Sequence, residues 1–216
     1  MASIKLKHAT GNSTIIHSPA ANPSSDVTLK LPSTSGSAGQ VLKVASANHS
    51  STNAELEFAA AAGGKFASYA IIGDVKSNDV DGGTFTSGDW RTRDLNTELI
   101  DADGIVSISS NQFTLQAGSY FIEAQAMAYR VNRHMVKLYQ TSGTPADIAF
   151  GTSMYANSGY NGNNVSVVKA RVTISTATTY EIRHRGDTNH STYGFGLGAN
   201  FGNTELYTVV KIFKEA

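Results

Sequence analysis

NQFTLQAGSYFIEAQAMAY, residues 111–129, reads as strand, tight turn, strand. Phe113 and Leu115 alternate with Thr114 and Gln116. Ala117-Gly118 then supplies a residue free to take positive φ in a turn. Tyr120, Ile122, Ala124, Ala126 and Ala128 follow on one face, with Glu123 and Gln125 on the other. Alternation of this length marks a half-buried antiparallel strand. The ending TELYTVVKIFKEA repeats it: Leu206, Thr208, Val210 and Ile212 against Tyr207, Val209, Lys211 and Phe213. A last strand this regular is expected to be locked into a sheet. The pattern points to a β-sandwich that packs and binds, and away from a catalytic cleft.

Working outward, the region 66–216 predicts one β domain. Its strand candidates are 66–72, 90–95, 104–109, 112–115, 119–129, 134–140, 148–155, 165–174, 179–184, 193–201 and 205–213. Many short strands with turn signals between them suit a sandwich or barrel, and no sustained 3.6-residue period predicts a helix. AAAAGGK marks a break, with 61–65 as linker. Before it, residues 1–60 hold thin strand signals: IKLKH, STIIH, DVTLKLP, GQVLKV and ELEF, with a turn cluster at 19–25. Such a segment buries too little apolar surface to stand alone and is expected to lean on a partner. The alternative is a disordered leader.

Composition narrows the function. The 216 residues are 40% hydrophobic but only 16% charged, so Ser, Thr, Asn and Gly must cover the surface. The formal net charge is zero, which gives no pull toward nucleic acid or anionic membranes. Cysteine is absent, which excludes disulfides, thiolate metal sites and cysteine nucleophiles. No apolar run reaches the ~18 residues of a membrane helix, and the N-terminus lacks a signal-peptide core, so synthesis in a cytoplasm without standard export is expected. The four N-x-S/T matches (Asn12, Asn48, Asn164, Asn189) are then read as chance. No G-x-S-x-G, H-E-x-x-H or phosphate loop is present, and the chain is read as a non-enzyme without cofactor or metal.

The stretches WRTRDLNTELIDADGIVSISSNQFTLQAGSYFIEAQAMAYRVNRHMVKLYQ and TYEIRHRGDTNHSTYGFGLGANFGNTELYTVVKIFK resemble a C-terminal domain of phage virion proteins. That domain is a jelly roll of the complement globular-head and tumour-necrosis-factor-like group. The Ala117-Gly118-Ser119-Tyr120-Phe121 turn into an aromatic-led strand carries the likeness. DVTLKLPSTSGSAGQVLKVAS with ELEFA resembles a segment near the start of marine-phage fibre proteins. The resemblance implies an all-β homotrimer: an antiparallel jelly-roll sandwich preceded by a small β-rich attachment segment. It implies a place on the surface of a phage particle, with residues 1–58 docking on other virion proteins. The last strand would lie beside the trimer axis, giving Tyr207, Val209 and Phe213 as interface residues. The expected task is host-surface attachment as a tail fibre or spike. A capsid-decorating knob and a soluble glycan-binding module are the alternatives.

Several constellations carry chemistry. YANSGYNGNN (155–164) and GDTNHST (186–192) have the rigid-Tyr, adaptable-Asn/Ser composition of binding loops. They offer Tyr155, Asn157, Tyr160, Asn161, Asn189 and His190 as contacts to a host glycan or protein; ordinary hairpin loops would read the same way. TYGFGLGANFG predicts a strand with one apolar face and one bare face. Gly in a strand implies close approach of another group, so Gly194, Gly196 and Gly198 become candidate trimer-interface residues, a mobile loop being the other reading. Asp79/Asp81 and Asp101/Asp103 give two Asp-x-Asp-Gly matches, short of a full calcium loop. His134 and His184 fall on apolar phases and are expected to be buried and hydrogen-bonded; with His190 they could instead meet at an ion. Arg185-Gly186-Asp187 is read as a turn. Arg130, Arg133 and Arg183 could make a small basic patch, with Glu123 and Glu181 as partners.

Overall fold

The computed structural model describes residues 3–7, 13–17, 28–45, 50, 53–60 and 64–216. The 19–25 turn cluster, Asn12, Asn48 and linker residues 61–63 lie outside them. The chain divides into two compact units, 1–62 and 63–216. No helix occurs among the described residues.

Among its described residues the first unit has five strands: β1 (Ser3–Lys7), β2 (Ser13–His17), β3 (Thr28–Lys30), β4 (Gln40–Val44) and β5 (Asn53–Ala60). β1 and β2 form an antiparallel pair. β5 sits between β3, which runs parallel to it, and β4, which runs antiparallel. Every residue of β3 and β4 is exposed, Leu29, Val41, Leu42 and Val44 among them. None of the residues 28–45, 50 and 53–60 is buried, so the thin apolar pattern makes strands without burying side chains among them.

The second unit holds β6 (Phe66–Lys76), β7 (Arg91–Thr92), β8 (Thr97–Ile100), β9 (Val106–Ser109), β10 (Gln112–Leu115) and β11 (Gly118–Tyr129). They are followed by β12 (Asn132–Gln140), β13 (Ala146–Phe150), β14 (Met154–Ala156), β15 (Asn163–Ile174), β16 (Thr178–Gly186) and β17 (Glu205–Glu215). One sheet runs β15-β11-β17-β6-β8; the other runs β13-β12-β16-β10-β9, with β14 on β12 and β7 on β16. The chain crosses between the sheets so that the first and last long strands, β6 and β17, lie side by side while β11 separates β17 from β15. Two four-stranded sets, β6-β17-β11-β15 and β10-β16-β12-β13, facing one another in this order are a jelly roll.

The core follows the alternation. β11 pairs along its length with β15 and over Tyr120–Ala126 with β17. Tyr120, Ile122, Ala124, Ala126 and Ala128 are all buried. Phe113, Leu115, Val136, Leu138, Tyr180 and Ile182 join the same apolar mass from the opposing sheet. Burial of each large apolar side chain contributes ~1.5–3 kcal/mol. Ala124 and Ala126 of β11 leave room for those larger side chains, while Ala128 packs with Phe85 and Val131. The turn into β11 uses Gly118 at φ 153°, as the Ala-Gly signal predicts.

Two predicted strands are corrected. The 148–155 candidate is two short strands, β13 and β14: Gly151 N still donates to Val136 O of β12, but Thr152 N turns to Val167 O before β14 returns to β12. The 193–201 candidate is no strand: 191–195 is turn and 196–200 is irregular. Its alternation comes from residues folding back on the chain, as the glycine contacts below show. β8, bearing Thr97, Glu98, Leu99 and Ile100, was not foreseen; its pattern is too short to show a period.

Candidate functional site

Loops gather at the end of the sandwich where β11 turns into β12. Arg130 and Asn132 take positive φ (55° and 59°) to make that turn. Tyr129, the last residue of β11, is buried and ties two distant loops together. Its hydroxyl donates to Asn161 Oδ1 at 2.8 Å, and its ring meets His190 and Tyr193 edge-on at 5.6 and 5.1 Å. Around it Arg130 Nε donates to Ser158 O (2.6 Å), Ser158 N to Asn132 Oδ1 (2.9 Å) and Asn132 Nδ2 to Thr188 Oγ1 (2.7 Å). The 155–164 and 186–192 loops thus form one cross-bonded surface.

The six loop residues differ in how much of each remains for a partner. Tyr155 and Tyr160 are 54% and 74% exposed. Asn157 accepts from Gly159 N (2.7 Å) and shapes its own turn. Asn161 is bound by Tyr129, and Asn189 Oδ1 accepts from both Ser87 N (2.7 Å) and Ser87 Oγ (2.8 Å). His190 is half-buried, with its ring 4.4 Å from that of Tyr193.

A second surface is the outer face of the five-stranded sheet. Phe121 stands opposite Phe213, and Phe213 opposite Tyr69, so three rings cross three strands in a row. Their centroids are 6.4 and 6.5 Å apart, and Phe66 closes the group 5.1 Å from Phe213. Phe66 and Tyr69 are 46% and 50% exposed. Next along the face, Glu123 takes Lys169 (2.9 Å) on one side and Lys211 (3.1 Å) on the other. Those contacts, Lys169 first, hold its carboxyl below the usual range. Beyond the ladder Val209 lies opposite Gln125. Of the predicted interface residues, Val209 and Phe213 are on this face and half-buried.

The other four are placed within the chain. The register slips between Leu206 and Thr208, so Leu206 faces out and Tyr207 faces in. Tyr207 is buried, and its hydroxyl donates to Val80 O at 2.8 Å. A Cβ on Gly196, which sits at φ 136°, would strike the Tyr207 ring; one on Gly194 would strike Phe85. Gly198 lies beside the Tyr207 hydroxyl and the Glu205 carboxylate. Within one chain the groups that approach these glycines are Tyr207, Phe85 and Glu205.

Beneath the loops sit charges that the alternation barely announces. Arg93 is fully buried, sharing the phase of Leu95, which is its only sequence signal. Its Nε donates to Thr208 Oγ1 (2.9 Å), and its other nitrogens donate to the carbonyls of Met127, Phe195 and Tyr207. The guanidinium lies 4.2 Å from the Phe195 ring centroid. Burial lowers its pKa to about 10, so it stays charged at neutral pH. His134 Nδ1 and His184 Nε2 share a hydrogen bond of 3.0 Å, and both rings are buried. Burial, with the Arg93 charge second, lowers His134 to about 4 and His184 well below its ordinary value. The pair is therefore neutral at physiological pH. His190 is not with them, and no group of three or more His, Cys, Asp or Glu side chains suited to a metal occurs among the described residues.

In the acidic matches, Asp101 closes its own turn, and Asp103 and Asp81 tie to distant parts of the chain. Asp101 accepts from the amides of Ile105 (2.9 Å) and Val106 (3.1 Å), Asp103 from the Ser68 hydroxyl (2.5 Å), and Asp81 from Gly198 N (3.0 Å). Arg185 and Gly186 end β16, and only Asp187 lies past it, bound by Arg133 Nε at 2.6 Å. Arg183 pairs with Glu181, and Arg130 serves Ser158, so the three arginines form no common basic patch.

No family model matches the chain, and no curated protein matches it. Among solved structures, murine APRIL at pH 5.0 is 9% identical with a TM-score of 0.47, over 68% of this chain and 98% of that one. The globular domain of zebrafish complement 1qA protein is 17% identical with a TM-score of 0.44, over 68% and 95%. Eiger TNF from S. frugiperda is 10% identical with a TM-score of 0.44, over 68% and 92%. The jelly-roll assignment rests on the strand order of this chain itself.

Proposed function

We propose that this chain is a non-enzymatic binding module. It assembles into a homotrimer through the outer face of the five-stranded sheet and presents the 155–164 and 186–192 loops to a host surface. The observation that carries the reading is the Phe66–Tyr69–Phe121–Phe213 ring cluster. Two exposed aromatic side chains, Phe66 and Tyr69, and two half-buried ones, Phe121 and Phe213, on one sheet face are of the kind that interfaces bury. Its threefold form follows the sequence resemblance, which sets the last strand beside a trimer axis. The cross-bonded loop end, with Tyr155 and Tyr160 outermost, has the composition of an adaptable contact surface.

The finer reading is a phage virion appendage of tail-fibre or spike type, attached through residues 1–58 and exposed on the particle. Its support is the fibre-like N-terminal sequence, together with the fully exposed strands β3 and β4 there. An antibody against residues 66–216 applied to intact particles tests it. Label at the tail supports host attachment. Label over the capsid supports the decorating-knob alternative. Particles without label contradict the virion reading and favour a soluble glycan-binding module.

A further inference from the structure

The outer face of the seven-stranded sheet carries a row of cations on β12 and β16. Lys137 is paired with Asp147 at 2.5 Å, Arg183 with Glu181, and Arg133 with Asp187 at 2.6 Å. Arg185 alone in this row has no carboxylate partner among the described residues, and it is exposed. It stands directly opposite Met135 in the β12–β16 register. The two side chains line a pocket of about 280 Å³ together with Trp90, Met154 and the Arg133–Asp187 pair. Trp90 is held in place by Lys137 Nζ, 4.3 Å from its ring centroid, and by Phe150 at 6.0 Å. Asp187 also lines the pocket, but Arg133 already engages it, so the local balance leaves one positive charge unmatched.

We propose that this pocket binds a carboxylate-bearing sugar residue, such as a uronic acid of a surface polysaccharide. The pocket is just smaller than the ~300–1,000 Å³ typical of sites for drug-sized ligands, which limits the occupant to about one ring. Trp90 and the two methionines suit the apolar C–H face of a pyranose. The Arg185 guanidinium supplies the planar fork that matches a carboxylate, which neutral sugars lack. The site uses none of the six loop residues discussed above and stands apart from the virion reading.

The test is calorimetric titration of the full-length protein with methyl glucuronide, methyl glucoside, benzoate and sulfate. Glucuronide is expected to bind at least tenfold more tightly than glucoside, benzoate or sulfate. Arg185→Gln is expected to weaken it at least tenfold with an unchanged melting temperature, since the side chain is exposed and unpaired. Trp90→Ala is expected to weaken glucuronide and leave the weak response to sulfate unaltered. Equal binding of glucoside, equal binding of sulfate or benzoate, or an Arg185→Gln protein that binds like the parent would each overturn the proposal.

Discussion

The two outer faces of the sandwich solve the problem of exposure differently. On the seven-stranded sheet, aromatic rings are capped by cations: Lys137 lies over Trp90, and the Arg183 guanidinium sits 3.6 Å from the Tyr139 ring centroid. Lys137 and Arg183 are each matched by a carboxylate, Asp147 and Glu181, and the open part of that face is the pocket beside Arg185. On the five-stranded sheet, the rings of Phe66, Tyr69 and Phe121 gather around that of Phe213, with no cation over them, and the Lys169–Glu123–Lys211 ladder lies next along the face. Apolar area left to water costs roughly 25 cal/mol per Å² relative to burial. The difference teaches which face a second copy of the chain would cover.

Substitutions can break that contrast. The largest effect is expected from Phe213→Asp, which places a charge at the centre of the ring cluster and should convert the assembly to monomer. Tyr69→Asp should do the same, while Met135→Asp on the opposite face should leave the mass unchanged. Sedimentation velocity reads all three, and dissociation by the Met135 variant would erase the distinction between the faces. Gly196→Val separates folding from assembly. With Tyr207 in the way and φ positive, it should cost more than about 1 kcal/mol in urea unfolding. A Gly196→Val protein that keeps its stability but loses assembly would restore a role for that residue between subunits.

Acid sharpens the account next. His134 binds its proton near pH 6.5 when unfolded but only near 4 when folded. Stability should therefore hold above pH 6.5, fall as the pH drops toward 4, and level off for this group below that. The loss is on the order of 3 kcal/mol, measurable as urea midpoints across the range. A flat profile between pH 7 and 4 would show that the pair is charged or solvated. Glu123→Gln has the smallest expected effect. It leaves Lys169 and Lys211 facing one another, and the resulting drop in melting temperature should shrink as salt is raised. A salt-independent drop would mean that the ladder acts through packing.

Much of this fold could be read from the chain because period-two alternation is written into single strands. Residues 119–129 and 208–213 show their buried and exposed faces without any partner. The strand reading of 193–201 failed because turns that pack glycine against Tyr207 and Phe85 also alternate apolar with bare positions. Tyr207 was misplaced because a one-residue slip reverses every side chain beyond it, and nothing in TELYTV marks the slip. Arg93, whose partners lie 34 to 115 positions away, and the pairing of His134 with His184, 50 positions apart on neighbouring strands, depend on long-range geometry that no local pattern encodes. The loop residues were found by composition, but composition could not show that Asn161 and Asn189 are tied to Tyr129 and Ser87.

The central claim is that the ring-bearing face of the five-stranded sheet is covered by other copies of the chain. Light scattering of the purified protein tests it most directly. A mass of about 68 kDa, three times the 22.8 kDa chain, is the predicted result, falling to that of a single chain in Phe213→Asp. A parent protein that already weighs 22.8 kDa at micromolar concentration would contradict it.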